Sequence, residues 1–125
     1  RRARGFAVYA ALRELGRTGV EAMIDRCCRL AGRFADQLRA EPRLRVLNEV
    51  VLNQVLVRVE PASGDADRAT RETIRRVQEE RVCWLGGTRW HDMDAMRIYV
   101  SNWSTTETDV DRSVESIVRA VHASC

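Results

Sequence analysis

The sequence contains no lysine, so all 21 of its basic residues are arginine. A chain without lysine cannot form a lysine Schiff base with a carbonyl compound. The 18 acidic residues leave a net charge of only +3, and the arginines are spread along the chain. Because nucleic-acid-binding proteins usually concentrate basic charge and interleave it with aromatic residues, the sequence predicts no nucleic-acid partner.

Residues that bind metals or act as nucleophiles are also few. The chain has four cysteines and two histidines, and no C-x-x-C spacing occurs. Cys27 and Cys28 are adjacent, and neighbouring cysteines on a helix point in different directions. We therefore expect no zinc site and no disulfide framework, but reduced thiols in a cytoplasmic protein. His91 has no evident Ser and Asp partners in sequence, so a hydrolytic triad is not indicated.

Long apolar runs and targeting patterns are missing as well. No stretch reaches the roughly 18 apolar residues of a membrane-spanning helix, and the start RRARGF has no signal-peptide pattern. Neither common glycine-rich phosphate-binding loop is present. Since the sequence starts without Met and in the middle of a helical pattern, we expect this chain to begin inside a larger protein.

The N-terminal third has the periodicity of two helices. Apolar residues fall on two sides of Arg1–Arg17, which suggests burial between two bodies. Gly16 interrupts the pattern, and Thr18 and Glu21 have the spacing of a capping box that restarts a helix. Pro42 ends the second helix. Its apolar stripe comprises Val20, Met23, Ile24, Cys27, Leu30, Ala31, Phe34 and Leu38.

The remainder alternates between strands and helices. The predicted strands are Leu44–Leu47, Val50–Val59, Val82–Leu85 and Met96–Ser101. Helices are predicted over Arg68–Glu80, capped by Asp65 or Asp67, and over Thr106–His122, with capping-box spacing at Ser104 and Glu107.

The resulting order, α-α-β-β-α-β-β-α, predicts an α+β fold with a small, mainly antiparallel sheet that is covered by helices. We expect two parts: residues 1–42 as linking helices toward a large domain that is missing here, and residues 43–125 as a small C-terminal domain.

Arg97 is the leading candidate for a binding residue. It is the lone charge in an apolar strand, and its guanidinium fits a carboxylate bidentately. An arginine on the solvent side of an edge strand would explain the pattern equally well.

Trp90 and His91 are weaker candidates. They follow Gly86 and Gly87 in the predicted loop Thr88–Asp94, where glycine permits close backbone approach and an aromatic–histidine pair could line a pocket. A hairpin loop with surface aromatics is the simpler interpretation.

Two segments resemble a known family. RRARGFAVYAALRELGRTGV resembles the helix that follows the catalytic core in pyridoxal-phosphate-dependent group II decarboxylases. MRIYVSNWSTTETDVDRSVESI resembles the last strand and helix of that family, where an arginine, a Ser-Asn and a Thr-Thr-x-x-Asp-Val pattern recur. The match departs at Trp103, where relatives often have proline.

The resemblance implies the C-terminal part of an aspartate-aminotransferase-type enzyme, with the cofactor lysine upstream. It implies pyridoxal 5'-phosphate as cofactor of the full-length protein, an amino-acid substrate, a homodimer, and a substrate-carboxylate role for Arg97. No catalytic, cofactor-binding or metal-binding residue is expected in this chain, which alone should be inactive. Two alternatives stay open: an aminotransferase or other pyridoxal-phosphate lyase of the same fold, and a non-enzymatic α+β interaction module.

Overall fold

The computed structural model describes residues 2–125, so the predicted helix start at Arg1 lies outside the described residues. The elements, in chain order, are α1 (Arg4–Arg39), β1 (Leu44–Val46), β2 (Gln54–Val59), α2 (Ala66–Glu80), β3 (Gly86–Trp90), β4 (Met93–Tyr99) and α3 (Glu107–Ser124). This α+β order confirms the predicted one, because α1 consists of two helical arms on either side of Gly16.

Gly16 produces the break in α1. Its backbone lies at φ 63° and ψ −176°, a conformation that is essentially restricted to glycine. The arm before Gly16 is exposed, and Phe6 has 76% of its surface accessible. The arm after it packs on the sheet through part of the predicted stripe: Cys27, Leu30, Ala31, Phe34 and Leu38 are buried, but Ile24 is exposed.

The predicted sheet is mainly antiparallel, and the observed one is fully antiparallel, with the strand order β1-β2-β4-β3. Val55, Val57 and Val59 of β2 are completely buried, as their alternation predicts. On β4, Met96 and Ile98 join the same core. The helices therefore cover one face of the sheet. The other face of β2, β4 and β3 carries partly or fully exposed side chains, apart from the buried Ala95.

The predicted strand Val82–Leu85 and the predicted loop Thr88–Asp94 are both wrong. The third strand, β3, begins only at Gly86, directly after the predicted one. Trp90, at the end of β3, pairs with Met93 of β4, so that only two residues form the hairpin turn. Leu85 is buried and Trp84 exposed, which imitates the alternation of a strand. However, the Leu85 carbonyl accepts its hydrogen bond from the side chain of Gln78, 2.9 Å away, and not from a neighbouring strand.

The caps of α2 and α3 follow the predicted chemistry with one correction. Asp65, one of the two predicted candidates, accepts from the backbone N–H groups of Asp67 and Arg68 and caps α2. The predicted box of Ser104 and Glu107 is wrong, since Thr106 caps α3 together with Asp109. Ser104 instead lies in a turn that begins at Asn102. The Asn102 side-chain oxygen accepts hydrogen bonds from both the backbone N–H and the hydroxyl of Ser104.

The helices among the described residues 2–125 include none that is long and apolar enough to cross a membrane.

Candidate functional site

Arg97 lies on β4, one of the two central strands of the sheet. Its register partners are Leu56 on β2 and Gly86 on β3. Met96 and Ile98 on either side are buried, so Arg97 projects from the face opposite the helices and is exposed. A position with strands on both sides excludes the edge-strand alternative and fixes the backbone from which the guanidinium extends.

The surroundings of Arg97 leave its guanidinium accessible. Its Cζ atom lies 6.0 Å from the centroid of the Tyr99 ring, a cation–π contact at the limit of the usual range. Among residues 2–125, no carboxylate pairs with it, although other arginines of the sheet, Arg45 and Arg58, each have an acidic partner. On the other side, a Cβ built on Gly86 would meet nothing within 4 Å. Arg97 thus combines a fixed position, an open flank and an unneutralised charge.

Trp90 and His91 form the tip of the β3–β4 hairpin. Their rings meet edge to face, with centroids 4.7 Å apart. Trp90 pairs with Met93, four residues before Arg97 on β4, a separation of about 13 Å along a strand. The structure therefore does not bring this pair next to Arg97. A shared binding role for the three residues stays a prediction.

The start of β4 is held by a charged cluster. Oδ1 of Asp67 on α2 accepts from Arg58 at 2.5 Å and from the Asp94 backbone N–H at 3.0 Å. The Asp94 N–H, followed by the Arg58 guanidinium, lowers the pKa of the Asp67 carboxyl. Arg71 and Arg89 then pair with the Asp94 carboxylate. These contacts join β2, α2 and the hairpin. They hold the start of β4, the strand that carries Arg97, in place.

A second bonded set joins α1 to α3. Arg33 binds the Asp111 carboxylate bidentately, with both N···O distances at 2.9 Å, and Gln37 donates to it at 2.6 Å. The Arg33 bonds, and next the Gln37 bond, lower the pKa of Asp111 to about 2. Nearby, Arg26 donates to the Trp103 carbonyl and so ties α1 to the turn between β4 and α3.

The structure also contains a cleft that the sequence did not indicate. It has a volume of about 470 Å³ and lies between Val82–Leu85, the end of β4 and the first turns of α3. Phe34, Ile98 and Ile117 are among its apolar lining residues, and Asn102 and Asp109 are among its polar ones. The only signal in the sequence is the strand-like pattern of Val82–Leu85, which predicts a strand and not the wall of a cleft.

Metal-ligating residues do not converge anywhere in the part of the chain that the structure describes. Its four cysteines are free thiols, and burial raises the pKa of Cys83. No lysine is available as a covalent anchor for a carbonyl cofactor. The accessible guanidinium of Arg97 has the chemistry to pair with an anion.

Comparison with known proteins identifies the fold. No family model and no curated protein matches the sequence. Among solved structures, Oryza sativa TDC with PLP and tryptamine has a TM-score of 0.88 at 23% identity, over 98% of this chain and 27% of that one. Catharanthus roseus tryptophan decarboxylase in complex with L-tryptophan has a TM-score of 0.85 at 17% identity, over 93% of this chain and 25% of that one.

A third similar structure is the glutamate decarboxylase domain of a Vibrio parahaemolyticus diaminobutyrate-pyruvate transaminase and L-2,4-diaminobutyrate decarboxylase. It has a TM-score of 0.80 at 20% identity, over 93% of this chain and 25% of that one. The chain thus has the fold of part of these decarboxylases, which confirms the fold that the resemblance implied. It spans only about a quarter of their length.

Proposed function

We propose that this chain is the C-terminal small-domain part of a pyridoxal-phosphate-dependent amino-acid decarboxylase, and that Arg97 holds the substrate carboxylate. The observation that carries the proposal is the unneutralised Arg97 guanidinium on the open face of a decarboxylase-like sheet. A planar guanidinium recognises a carboxylate through two parallel hydrogen bonds. Such a clamp fixes the orientation of the amino acid and thereby the bond that is placed for cleavage.

The chain's own residues do not fit the cofactor's covalent attachment, because there is no lysine. The cofactor, which supplies the electron sink for decarboxylation, would be held by residues upstream of this chain. Arg97 is therefore proposed as a positioning residue. Residues 43–125 would form the small domain and residues 1–42 the linking helices.

The exposed first arm of α1 supports this assignment. Its apolar side chains are all accessible in the described structure: Phe6, Val8, Tyr9, Leu12 and Leu15. Several large exposed apolar side chains on one helix usually mark a surface that another protein body covers. We propose that the large domain covers it, and that the complete enzyme is a cytoplasmic homodimer.

The decisive experiment uses the polypeptide extended by its upstream coding sequence. Supplied with pyridoxal phosphate and amino acids, it should release carbon dioxide, and Arg97→Ala should raise KM roughly tenfold to a hundredfold through loss of a charge-assisted bidentate contact. Arg39→Ala is the matched control, because Arg39 is exposed and bonds only to Asp36 within its own helix.

Each result has a defined meaning. An unchanged KM for Arg97→Ala, with carbon dioxide still formed, removes Arg97 from the binding site but keeps the enzyme class. A keto acid as the product in place of carbon dioxide identifies an aminotransferase of the same fold. No turnover with any amino acid favours the interaction module.

A further inference from the structure

Arg97 has one empty flank, and the pairing of the strands produces it. On β3, the register partner of Arg97 is Gly86, which carries no side chain. Directly opposite residues of an antiparallel pair project from the same face, with Cβ atoms about 5 Å apart. A side chain at position 86 would therefore stand beside the stem of Arg97. A Cβ added to Gly86 meets no atom of residues 2–125 within 4 Å, so this flank is open space.

The other sides of Arg97 are occupied. Leu56 is its register partner on β2 and is partly buried. Along β4, Ala95 and Tyr99 project from the same face, because side chains alternate along a strand. The Cζ atom of Arg97 lies 6.0 Å from the centroid of the Tyr99 ring, which thus borders the guanidinium. On the surface of the sheet, a ligand paired with Arg97 therefore finds room for a bulky group on the β3 side.

The backbone at Gly86 does not require glycine. Among residues 2–125, glycines with positive φ are found at Gly16 and Gly64 but not at Gly86. Gly86 also begins a paired strand, where β-branched residues are favoured over glycine. Neither backbone conformation nor strand pairing thus explains the missing side chain, whereas its effect on the surroundings of Arg97 is direct.

The border of the empty flank is uncharged. Thr88, two residues after Gly86 on β3, projects from the same face and is partly buried. The other arginines of the sheet, Arg45, Arg58 and Arg89, are already paired with carboxylates. An acidic substituent would find no free arginine of the sheet beside Arg97, so a neutral substituent is favoured over an acidic one.

We propose that Gly86 determines specificity at the Arg97 site, because its missing side chain admits carboxylates that carry a bulky, uncharged group next to the carboxylate. This role depends on the proposed function, in which Arg97 holds the substrate carboxylate. The guanidinium supplies the charge-assisted bonds that all such carboxylates share. The space at Gly86 decides which substituents fit, since a difference of one or two methyl groups in a pocket changes affinity roughly tenfold or more.

The test measures binding without turnover, in the polypeptide extended by its upstream coding sequence. The small reagent 2,3-butanedione modifies accessible arginines, and a carboxylate bound to Arg97 protects it. Mass spectrometry of the peptide that contains Arg97 gives the half-protecting concentrations of two probes, acetate and phenylacetate. Gly86→Val should raise this concentration roughly tenfold or more for phenylacetate, and less than about threefold for acetate.

Two further variants complete the measurement. Gly87→Ala, at the next position of β3, places its Cβ on the side of α2, 3.4 Å from Cδ1 of Ile74. It adds a side chain to the same strand but not to the flank of Arg97, and should leave both concentrations unchanged. Gly86→Ala should shift the phenylacetate concentration in the same direction as Gly86→Val, by a smaller factor. If Gly86→Val does not fold, Gly86→Ala still decides the question.

Three results would overturn the proposal. The first is an equal weakening of acetate and phenylacetate by the Gly86 variants, and the second is unchanged protection by phenylacetate. The third is a failure of both probes to protect Arg97 in the unmodified polypeptide, which would also remove the carboxylate role of Arg97. Release of carbon dioxide from amino acids is a separate measurement, so failure of the proposed enzyme class is distinguished from failure of this role of Gly86.

Discussion

At the scale of single residues, the β3–β4 hairpin contains a local backbone cost. Trp90 and Met93 are paired, and the two residues between them, His91 and Asp92, both have positive φ, 47° and 61°. This is the pattern of a type I′ turn, which favours Asn-Gly because other residues are strained in the left-handed region. The pairing of β3 with β4, and the bond from the Asp94 N–H to Asp67, stabilise the hairpin. They outweigh the strain of the two turn residues.

Replacing one turn residue should therefore stabilise the chain. Asp92→Gly should raise the free energy of unfolding by about 0.5–1 kcal/mol, because glycine adopts positive φ without strain. The bond from Arg89 goes to the Asp92 carbonyl, which glycine retains. Urea denaturation measures the change. Thr88→Gly, a glycine placed in the adjoining strand, should destabilise instead, and a loss of stability in Asp92→Gly would contradict the strain argument.

At the scale of an element, the N-terminus of α3 depends on one hydroxyl among several candidates. Ser104, Thr105 and Thr106 all precede the helix, but only Thr106 completes a box, accepting from the Asp109 N–H at 3.2 Å while Asp109 accepts from the Thr106 N–H at 2.8 Å. The bonds that the Asp109 carboxylate accepts from the Thr106 N–H, and next from the Thr106 hydroxyl, lower the pKa of Asp109. The box determines where the turn after β4 ends, and thus shapes one wall of the cleft.

The two hydroxyls can be compared directly. Thr106→Ala should lower the free energy of unfolding by about 1 kcal/mol, the usual cost of losing a capping side chain. Ser104→Ala should change it by less than about 0.5 kcal/mol, since this hydroxyl bonds only within the Asn102 turn. Equal effects in guanidinium denaturation would show that the box does not hold the helix start.

At the scale of the whole molecule, charged contacts fix how α1 lies against α3. The bidentate bond between Arg33 and Asp111 requires one alignment of the two helices. Arg26, on the same helix, binds the Trp103 carbonyl and so holds the turn after β4 against α1. Within residues 2–125, the exposed arm before Gly16 makes no such contact with the rest of the chain.

The contact between Arg33 and Asp111 makes the stability of the folded chain depend on pH. The pKa of Asp111 is about 2 in the folded chain, below its ordinary value of 3.8, so its ionised form favours folding. Its contribution is complete above about pH 4 and is lost as the pH falls toward 2. The midpoint of urea unfolding should therefore decrease across this range, and Asp111→Asn should remove part of the decrease.

Asp36→Asn is the control for that measurement. Asp36 bonds to Arg39 within α1, so its variant leaves the contact between α1 and α3 intact. An Asp111→Asn variant with the same acid dependence as the unmodified chain would assign the effect to other carboxylates.

The sequence by itself determined most of the element types, most of the core and the lack of a lysine anchor. Valines alternating along β2, the apolar period of α3 and a glycine that interrupts α1 are local signals, and each depends on geometry within a few residues. The lack of lysine is a matter of composition and needs no structure. The candidate Arg97 is also identified by a local signal, because it is one charged residue among apolar neighbours.

Only the tertiary structure decided how those parts meet. It placed Arg97 on a strand flanked on both sides, moved β3 from Val82–Leu85 to Gly86–Trp90, and set Gly86 opposite Arg97. Such features depend on which strand lies beside which, and strand pairing is decided by contacts between residues far apart in sequence. Alternation at Trp84 and Leu85 could not reveal that the Gln78 side chain, in place of a strand, satisfies the Leu85 carbonyl.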